Sequence, residues 1–180
     1  DHHHDSLFQN YEHEVPRFLA MWEQIADRYK GLPDDSVAFE ILNEPNTEVT
    51  AERWNWLADT ALKIIRQTNP TRPVVIGVAD WGGIGAMPLL KIPADSNLIL
   101  TMHDYSPFPF THQGADFVDP PIPVGTRWGG YWDIRQSSED VKRIADFANL
   151  HDSIPVWIGE FGALPYGDTA SRRMWAAAKS

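Results

Sequence analysis

Two short apolar stretches that stop abruptly on glutamates constrain the fold of this chain more than any other feature. The first, at 37–42, is too short for a helix and rich in β-forming residues, and it runs into Asn-Glu-Pro at 43–45. Proline cannot extend a strand's hydrogen-bonded ladder, so the pattern predicts a buried strand that ends there. The second stretch, at 154–158, runs into Gly-Glu at 159–160. Each predicted strand therefore carries a glutamate at its carboxyl end.

Helical periodicity alternates with these strands along the chain. Apolar residues recur at helical spacing in four segments, at 15–29, 50–65, 141–148 and 168–178. Pro16 is predicted in the first turn of the first helix, and Thr50 is predicted as the N-cap of the second. Two more buried strands are predicted at 73–78 and 97–102. Because parallel strands need helical crossovers that cover the sheet, we predict a single α/β domain over residues 1–180.

Composition narrows the class of substrate. The chain has 25 acidic and 15 basic residues, for a net charge of -10, and no cysteine. A strongly acidic chain without a basic patch repels nucleic acid and anionic membranes, so a neutral substrate is predicted. The absence of cysteine excludes thiol catalysis and cysteine-ligated metals. No phosphate-binding glycine loop, membrane span or signal peptide is visible in the sequence.

The predicted strand ends carry residues suited to acid/base chemistry. Both parallel open sheets and barrels place their sites at the carboxyl ends of the strands. In this chain those ends carry Asn43, Glu44, Trp81, His103, Tyr105 and Glu160. The paired carboxylates favour acid/base or nucleophilic catalysis, since no nucleophile elbow for serine chemistry is present.

Two other features have alternative interpretations. Glu40 is a rival carboxylate, but its place inside the first strand favours a buried ion pair over catalysis. The histidine-rich stretch at 1–5 resembles a metal site, yet adjacent residues of a strand point to opposite faces, which disfavours a metal.

The proline- and glycine-rich segment at 106–133 is too long for a simple connection, so we expect it to cover a site. Trp81, Trp128 and Trp132 are expected in loops, where each indole either stacks on a sugar ring or packs into the core.

The motifs at these strand ends carry a family resemblance. Asn-Glu-Pro at 43–45, His-x-Tyr at 103–105 and Gly-Glu-Phe-Gly at 159–162 resemble glycoside hydrolase family 5, whose members are cellulases and β-mannanases with (β/α)8 barrels. FTHQGAD at 110–116, WGG at 81–83 and NPTRPVVIG at 69–77 are similar to the Thermotoga-type endoglucanases of that family, with mixed glucan and mannan activity. The resemblance extends over nearly the whole chain.

The resemblance implies a role for each matching residue. Glu44 matches the acid/base and Glu160 the nucleophile of a retaining hydrolase. The substrate-binding residues that it implies are His3, Asn43, Trp81, His103, Tyr105 and His112. Of these, Asn43 matches the ligand of the sugar 2-hydroxyl, whereas His103 and Tyr105 match the pair beside the nucleophile. No metal or cofactor is implied.

The chain departs from the family pattern in the number of its strands. It matches part of a (β/α)8 TIM barrel, roughly from the end of strand 3 to helix 7, with strands 1, 2 and 8 absent. We therefore expect a partial catalytic domain that is inactive and poorly folded when isolated, because a half-barrel exposes strand edges and an apolar inner face.

The sequence thus predicts an endo-β-1,4-glycanase acting on β-linked glucan by retaining double displacement. A β-mannanase and a non-catalytic carbohydrate-binding fragment stay open as alternatives. The resemblance also implies a secreted or periplasmic protein that is a monomer when complete.

Overall fold

A computed structural model of the chain describes residues 5–180, in which helices and parallel strands alternate. The strands are β1 (Phe39–Glu40), β2 (Val74–Gly77), β3 (Leu98–His103) and β4 (Val156–Glu160). The helices are α1 (Asp5–Gln9), α2 (Tyr11–Tyr29), α3 (Ala51–Arg66), α4 (Phe108–Thr111), α5 (Tyr131–Leu150) and α6 (Thr169–Lys179), with a 3₁₀ helix at Ile84–Leu89. The predicted α/β class is confirmed.

The four strands form one parallel sheet in the order β1-β2-β3-β4. Each strand pairs with its sequence neighbour, and the chain between them runs through helical segments, which is the arrangement of consecutive units of a (β/α)8 barrel. Among the described residues, β1 and β4 form the two edges of the sheet. This open sheet confirms the prediction of a partial barrel.

The bounds of two elements differ from the sequence prediction. Regular pairing in β1 covers two residues rather than six, although the Ile41 N–H still donates to the Val75 carbonyl at 3.3 Å. Beyond Ile41 the chain leaves the regular pairing, and the backbone adopts a left-handed conformation at Glu44, with φ of 45°. Helix α2 begins at Tyr11, so Pro16 lies inside the helix and not in its first turn. The predicted N-cap of α3 is confirmed, since Thr50 Oγ1 accepts from the Arg53 N–H.

Helices α2 and α3 bury apolar faces against the sheet and anchor to it through tryptophans. The Trp22 indole N–H donates to the Ile41 carbonyl at 3.0 Å, and the Trp54 indole N–H donates to the Gly77 carbonyl at 2.7 Å. Both rings lie in the main core cluster. Burying such a ring stabilises the fold, and its single polar atom is satisfied at a strand carbonyl. These contacts fix both helices relative to β1 and β2.

Arg72 joins the end of α2 to the start of β2 from a buried position. Its guanidinium donates to the carbonyls of Tyr29, Leu32 and Val37 and to the side chain of Asn69. An arginine presents five donors in a planar fork, so one side chain satisfies several chain-end carbonyls at once. The arginine of the 69–77 motif therefore has a structural role in this chain.

The long segment at 106–133 packs partly into a second, smaller core. Trp128 is buried with Phe110 and Trp175, so it follows the core-packing alternative rather than the sugar-stacking one. Trp157 of the edge strand β4 is exposed, and it pairs in register with Thr101 of β3. The strand β4 therefore has an incompletely covered face. No helix within the described range 5–180 is long and apolar enough to cross a membrane.

The two-pronged ion pair between Arg66 and Asp95 ties α3 to the loop before β3. The guanidinium donates to the two carboxylate oxygens at 2.6 and 2.9 Å, and both side chains are largely buried. The hydrogen bonds from Arg66 hold the pKa of Asp95 below its usual value, although burial opposes this shift. A depressed carboxyl pKa contributes stability above the ordinary pKa of about 3.9, and that stability is lost as the pH falls through the folded-state value.

Asp95→Asn is therefore expected to lower the free energy of unfolding near neutral pH by about 1–3 kcal/mol. The deficit relative to wild type should shrink as the pH falls below about 4, because Asp95 of the unfolded chain is protonated there before Asp95 of the folded chain, and the stability from the ion pair is lost progressively. Urea unfolding at several pH values measures both effects. Asp59→Asn, in an exposed pair with Lys63, is the matched control and should change stability by less than about 1 kcal/mol. A deficit that does not depend on pH would contradict the ion-pair explanation.

Candidate active site

The carboxyl edge of the sheet brings three chemical groups together. Glu160 is the last residue of β4, and His103 is the last residue of β3 and its register partner. Glu44 lies four residues after β1, at the opposite edge of the sheet. His103 Nδ1 lies 2.7 Å from Glu44 Oε1 and 3.5 Å from Glu160 Oε2. The sheet therefore curves enough for its two edge strands to meet at one imidazole.

The separation of the two carboxylates restricts the chemistry. One oxygen of Glu44, one oxygen of Glu160 and a nitrogen of His103 all lie within 4.8 Å of one another. Glycosidases that retain configuration hold their carboxyl groups about 5 Å apart, and those that invert it hold them about 6.5–9.5 Å apart to admit a water. The observed spacing fits a reaction in which one carboxylate attacks the anomeric carbon of a sugar directly. The other carboxyl group protonates the leaving oxygen.

Tyr105 supports Glu160 through a hydrogen bond. Its hydroxyl donates to Glu160 Oε2 at 2.9 Å. Burial, the hydrogen bond to Glu160 and the negative charges of Glu160 and Glu44 together raise the pKa of Tyr105 well above its usual value. The hydroxyl therefore stays protonated, and it remains a hydrogen-bond donor to the carboxylate.

His103 is held in place by its burial and by close contact with glycines. Burial disfavours the charged imidazolium, but the hydrogen bond to Glu44 and the charges of Glu160, Glu44 and Glu40 outweigh it and raise the pKa of His103. A Cβ at Gly82 would lie 3.0 Å from the imidazole ring, where the backbone φ is also +72°. The ring therefore packs directly against a backbone position that only glycine fits well.

Glu44 is presented by a strained turn rather than by the strand itself. Its backbone φ of 45° is unusual for a residue with a side chain, and its carbonyl accepts from the Asn46 side-chain amide at 2.7 Å. The next carbonyl, of Pro45, accepts from the Trp81 N–H at 3.3 Å. Strained backbone of this kind costs about 1–3 kcal/mol and persists only where the surroundings enforce it. These contacts link the Glu44 turn to the loop that carries Trp81.

A cleft of about 940 Å³ is lined by Glu44 and by several aromatic side chains. Trp81, His103, Tyr105 and His112 all line it. His112 stacks on Phe108, with ring centres 4.0 Å apart, and burial keeps the pKa of His112 below its usual value despite the charge of Glu44. A neutral imidazole stacked on an aromatic ring offers both an apolar face and a hydrogen-bonding edge to a sugar.

The sequence analysis missed two aromatic residues of this cleft. Phe108 and Phe117 both line it, and Phe117 contacts His112 edge to face. Their spacing of four and five residues from His112 placed them within reach, but the segment had no regular periodicity that would have indicated a shared surface.

Of the predicted site residues, six lie together around the cleft and its margins. Glu44, Glu160, His103, Tyr105, Trp81 and His112 form this group. Asn43 is buried and lines a smaller recess of about 300 Å³ that also reaches Glu44 and Trp81. His3 lies outside the residues that the structure describes. Glu40 lies within β1, half-buried, and acts on His103 through its charge. The roles assigned to these residues stay predictions.

The same three central side chains are of a type that binds metals. Glu44, Glu160 and His103 offer two carboxylate oxygens and one imidazole nitrogen, the ligand types of zinc sites in proteins. They also fit an acid/base pair with a supporting histidine, without any ion. The prediction of metal-free chemistry therefore stays a prediction.

A buried ion pair behind the site was not predicted. Lys179 Nζ lies 2.6 Å from Asp104 Oδ2, with only 3% and 6% of the two side chains exposed. The Asp104 N–H donates to the Glu160 carbonyl at 2.9 Å, and Asp104 stands between His103 and Tyr105. The end of α6 thus helps to fix the segment that carries both residues. A sequence separation of 75 residues left no local signal for it.

The chain is similar to a family of known enzymes and to several of their structures. The family model described as "Cellulase (glycosyl hydrolase family 5)" matches residues 1–179. Endoglucanase H of Acetivibrio thermocellus is 37% identical over 177 residues, which cover 97% of this chain and 18% of that protein.

Among solved structures, Thermotoga maritima Cel5A in complex with cellobiose is 41% identical with a TM-score of 0.94, and the match covers 98% of this chain and 57% of that chain. A hyperthermophilic endo-β-1,4-glucanase in complex with substrate is 37% identical, also with a TM-score of 0.94, and the match covers 99% of this chain and 57% of that chain. The chain therefore spans somewhat more than half of the solved domains that it resembles.

Gly159→Ala is expected to disturb the site through its contact with Thr101, since the added Cβ meets the His103 ring only at an ordinary 3.5 Å. A Cβ at this position would lie 2.5 Å from Thr101 Oγ1, so β3 and β4 would have to move apart next to Glu160. Overpacking of this kind costs about 1–3 kcal/mol. Gly162→Ala is the matched control, because its Cβ would meet the Tyr105 ring at an ordinary 3.8 Å. Denaturant unfolding measures both variants, and equal stability would contradict the close packing of β4 on Thr101.

Proposed function

The chain belongs to glycosyl hydrolase family 5, and from this premise we propose that it forms the central part of the catalytic domain of an endo-β-1,4-glucanase. The homologues are endoglucanases, so the chain comes from a glycoside hydrolase. Because it spans about 57% of the matching structures, the activity proposed here is that of a complete barrel that contains these residues. The finer proposal is that this enzyme cleaves β-1,4-glucan with retention of configuration.

In the first step, Glu160 attacks the anomeric carbon of the sugar while Glu44 gives its proton to the leaving glycosidic oxygen. The C–O bond to the leaving sugar breaks, and an ester bond forms between the sugar and Glu160. The Tyr105 hydroxyl orients Glu160 Oε2 for this attack through its 2.9 Å hydrogen bond. Because the hydroxyl remains protonated, it does not compete with Glu160 as a base.

In the second step, Glu44 acts as a base. It accepts a proton from a water molecule, whose oxygen attacks the anomeric carbon and releases Glu160 from the ester. His103 lies against both carboxylates and balances their charge as it shifts from one to the other. The sugar product carries the original configuration, because the carbon has been inverted twice.

The observation that carries this proposal is the approach of the two carboxylates to within 4.8 Å of each other. An inverting enzyme needs room for a water between them, and a carbohydrate-binding module needs no such pair. The spacing therefore supports retaining catalysis over inverting catalysis and over a non-catalytic binding module.

The cleft and the relatives together support a neutral β-linked substrate. Exposed aromatic rings such as Trp81 and Phe117 suit the apolar faces of sugars, and the net charge of -10 disfavours anionic polymers. Thermotoga maritima Cel5A has been crystallised with cellobiose and also with mannotriose. We therefore propose β-1,4-glucan as the substrate and β-mannan as the second candidate. Such polymers are too large to enter a cell, which supports a secreted or periplasmic enzyme.

The test of the nucleophile is Glu160→Gly in a complete barrel that contains this chain. The variant should lose hydrolysis of an activated aryl β-cellobioside, and added azide should restore turnover by occupying the place of the missing carboxylate. Formation of an α-configured glycosyl azide, measured by NMR, would identify Glu160 as the nucleophile. Formation of the β-configured azide would assign Glu160 as the acid/base and reverse the proposed roles. A wild-type barrel that binds glucan without hydrolysing it would favour the binding-module alternative.

Tyr105→Phe is expected to reduce kcat by about tenfold or more with a smaller change in KM. The hydroxyl contacts a carboxylate whose charge disappears and returns during the reaction, so it acts more strongly on the transition state than on bound substrate. Steady-state kinetics on soluble β-glucan measures the division between the two constants. Tyr29→Phe, at an exposed position on α2, is the control. A raised KM with unchanged kcat would make Tyr105 a binding residue only.

A further inference from the structure

One face of α5 carries four polar and aromatic residues that the proposed mechanism does not use. Trp132, Gln136, Asp140 and Arg143 follow one another at intervals of four, four and three residues, which places them in one row along the helix. We call this row the α5 face. Its length is about 16 Å, at 1.5 Å of rise per residue.

Three of the four residues of the α5 face line the cleft that also contains Glu44, and Trp132 lies about one helical turn before them on α5. Gln136, Asp140 and Arg143 line the same 940 Å³ cleft as Glu44 and Trp81. Phe108 and Phe117 line the same cleft. A linear ligand that occupies the catalytic centre can therefore extend along the same cleft to α5.

The polar part of the α5 face is preorganised by a buried carboxylate. Only 7% of the Asp140 side chain is exposed, and its Oδ1 accepts from Gln136 Nε2 at 3.1 Å and from Arg143 at 3.4 Å. The other two side chains are exposed. Both side chains line the cleft, and their N–H groups suit the hydroxyl oxygens of a neutral sugar. An ordered donor array loses less entropy on binding than a free surface side chain does.

Trp132 supplies an aromatic surface at the start of the row. It is 71% exposed, it contacts Tyr131 edge to face at 5.1 Å, and the Arg135 guanidinium lies over its ring at 5.5 Å. Arg135 is itself fixed by Glu139 at 2.7 Å. The indole is thus oriented by its neighbours while most of its surface stays open to solvent.

The rest of a complete barrel would not cover this surface. Helix α5 packs against the 3₁₀ helix Ile84–Leu89 and also against α6. In a barrel each outer helix has one neighbour on either side in the ring, and for α5 both neighbours are already within the described chain. The strands that complete the barrel would pair with the open sheet edges at β1 and β4.

We propose that the α5 face is a binding surface for a neutral β-1,4-linked glycan chain whose cleaved bond lies at Glu44 and Glu160. Trp132 stacks on a sugar ring, while Gln136 and Arg143 donate to hydroxyl groups of the same chain. This inference rests on the proposed function and adds a preference for long substrates over short ones. The occupant is an uncharged glycan because the row pairs an apolar ring with hydroxyl-binding donors, and because Asp140 already balances the charge of Arg143.

The test compares Trp132→Ala and Arg143→Ala in a complete barrel that contains this chain. Each variant should lower the ratio of kcat/KM on hydroxyethylcellulose to kcat/KM on an aryl β-cellobioside by roughly fivefold to tenfold. Trp56→Ala is the matched control, because Trp56 is a 53% exposed tryptophan on α3 and does not belong to the α5 face. A Trp132→Ala ratio equal to that of Trp56→Ala would overturn the inference.

Direct binding separates this inference from the proposed function. In a Glu160→Gln background, calorimetry with hydroxyethylcellulose should show roughly fivefold to tenfold weaker binding for Trp132→Ala and no such change for Trp56→Ala. If the parent enzyme hydrolyses neither substrate but this difference remains, the proposed function fails and the binding surface stands. If hydrolysis is normal and the difference is missing, the surface fails alone. Thermal melting checks folding, and Gln136→Ala replaces any variant that does not fold.

Discussion

Two carboxyl groups held within 4.8 Å of each other repel strongly when both are ionised, and the organisation of the site depends on how that repulsion is offset. His103 lies against both of them, at 2.7 Å from Glu44 and 3.5 Å from Glu160. The negative charge around it raises the pKa of His103 even though burial works in the opposite direction. The imidazole can therefore hold a positive charge next to both carboxylates. Tyr105 orients Glu160 by hydrogen bonding. The site thus depends on a single ring whose position must be fixed to within a fraction of an ångström.

The fold fixes that ring from several directions, and most of them are backbone contacts. The His103 N–H donates to the Gly82 carbonyl at 2.9 Å, while the next residue, Asp104, donates from its own N–H to the Glu160 carbonyl. The loop after β2 and the end of β4 therefore hold β3 on both sides at its last residue. The buried pair of Asp104 with Lys179 adds α6 to this arrangement. Removing one partner of a buried ion pair leaves an uncompensated charge, so α6 contributes to the site although it carries none of its reactive groups.

The sequence was informative where structure is determined locally and uninformative where distant segments meet. Strand ends are marked by short apolar runs, so Glu44, Glu160, His103 and Tyr105 could be placed at one edge of the sheet from their positions alone. The helix bounds and the burial of each tryptophan depend on packing between distant segments. Trp128 is buried against α6, whereas Trp132 is exposed on α5. Nothing in the residues that flank these two tryptophans distinguishes them. The Asp104 and Lys179 contact spans 75 residues, which no periodicity reveals.

The reactive side chains and the aromatic side chains that line the cleft lie on different parts of the structure, and these parts are held by different contacts. Glu160 and His103 stand on strands whose main chains are hydrogen-bonded to a neighbour. The aromatic residues Phe108 and Phe117 instead lie on the segment after β3, which is irregular apart from a four-residue helix. A substitution of Phe108 or Phe117 changes the lining of the cleft, and neither residue pairs with a strand of the sheet. The sheet therefore holds Glu160 and His103 more firmly than the irregular segment holds the aromatic lining of the cleft.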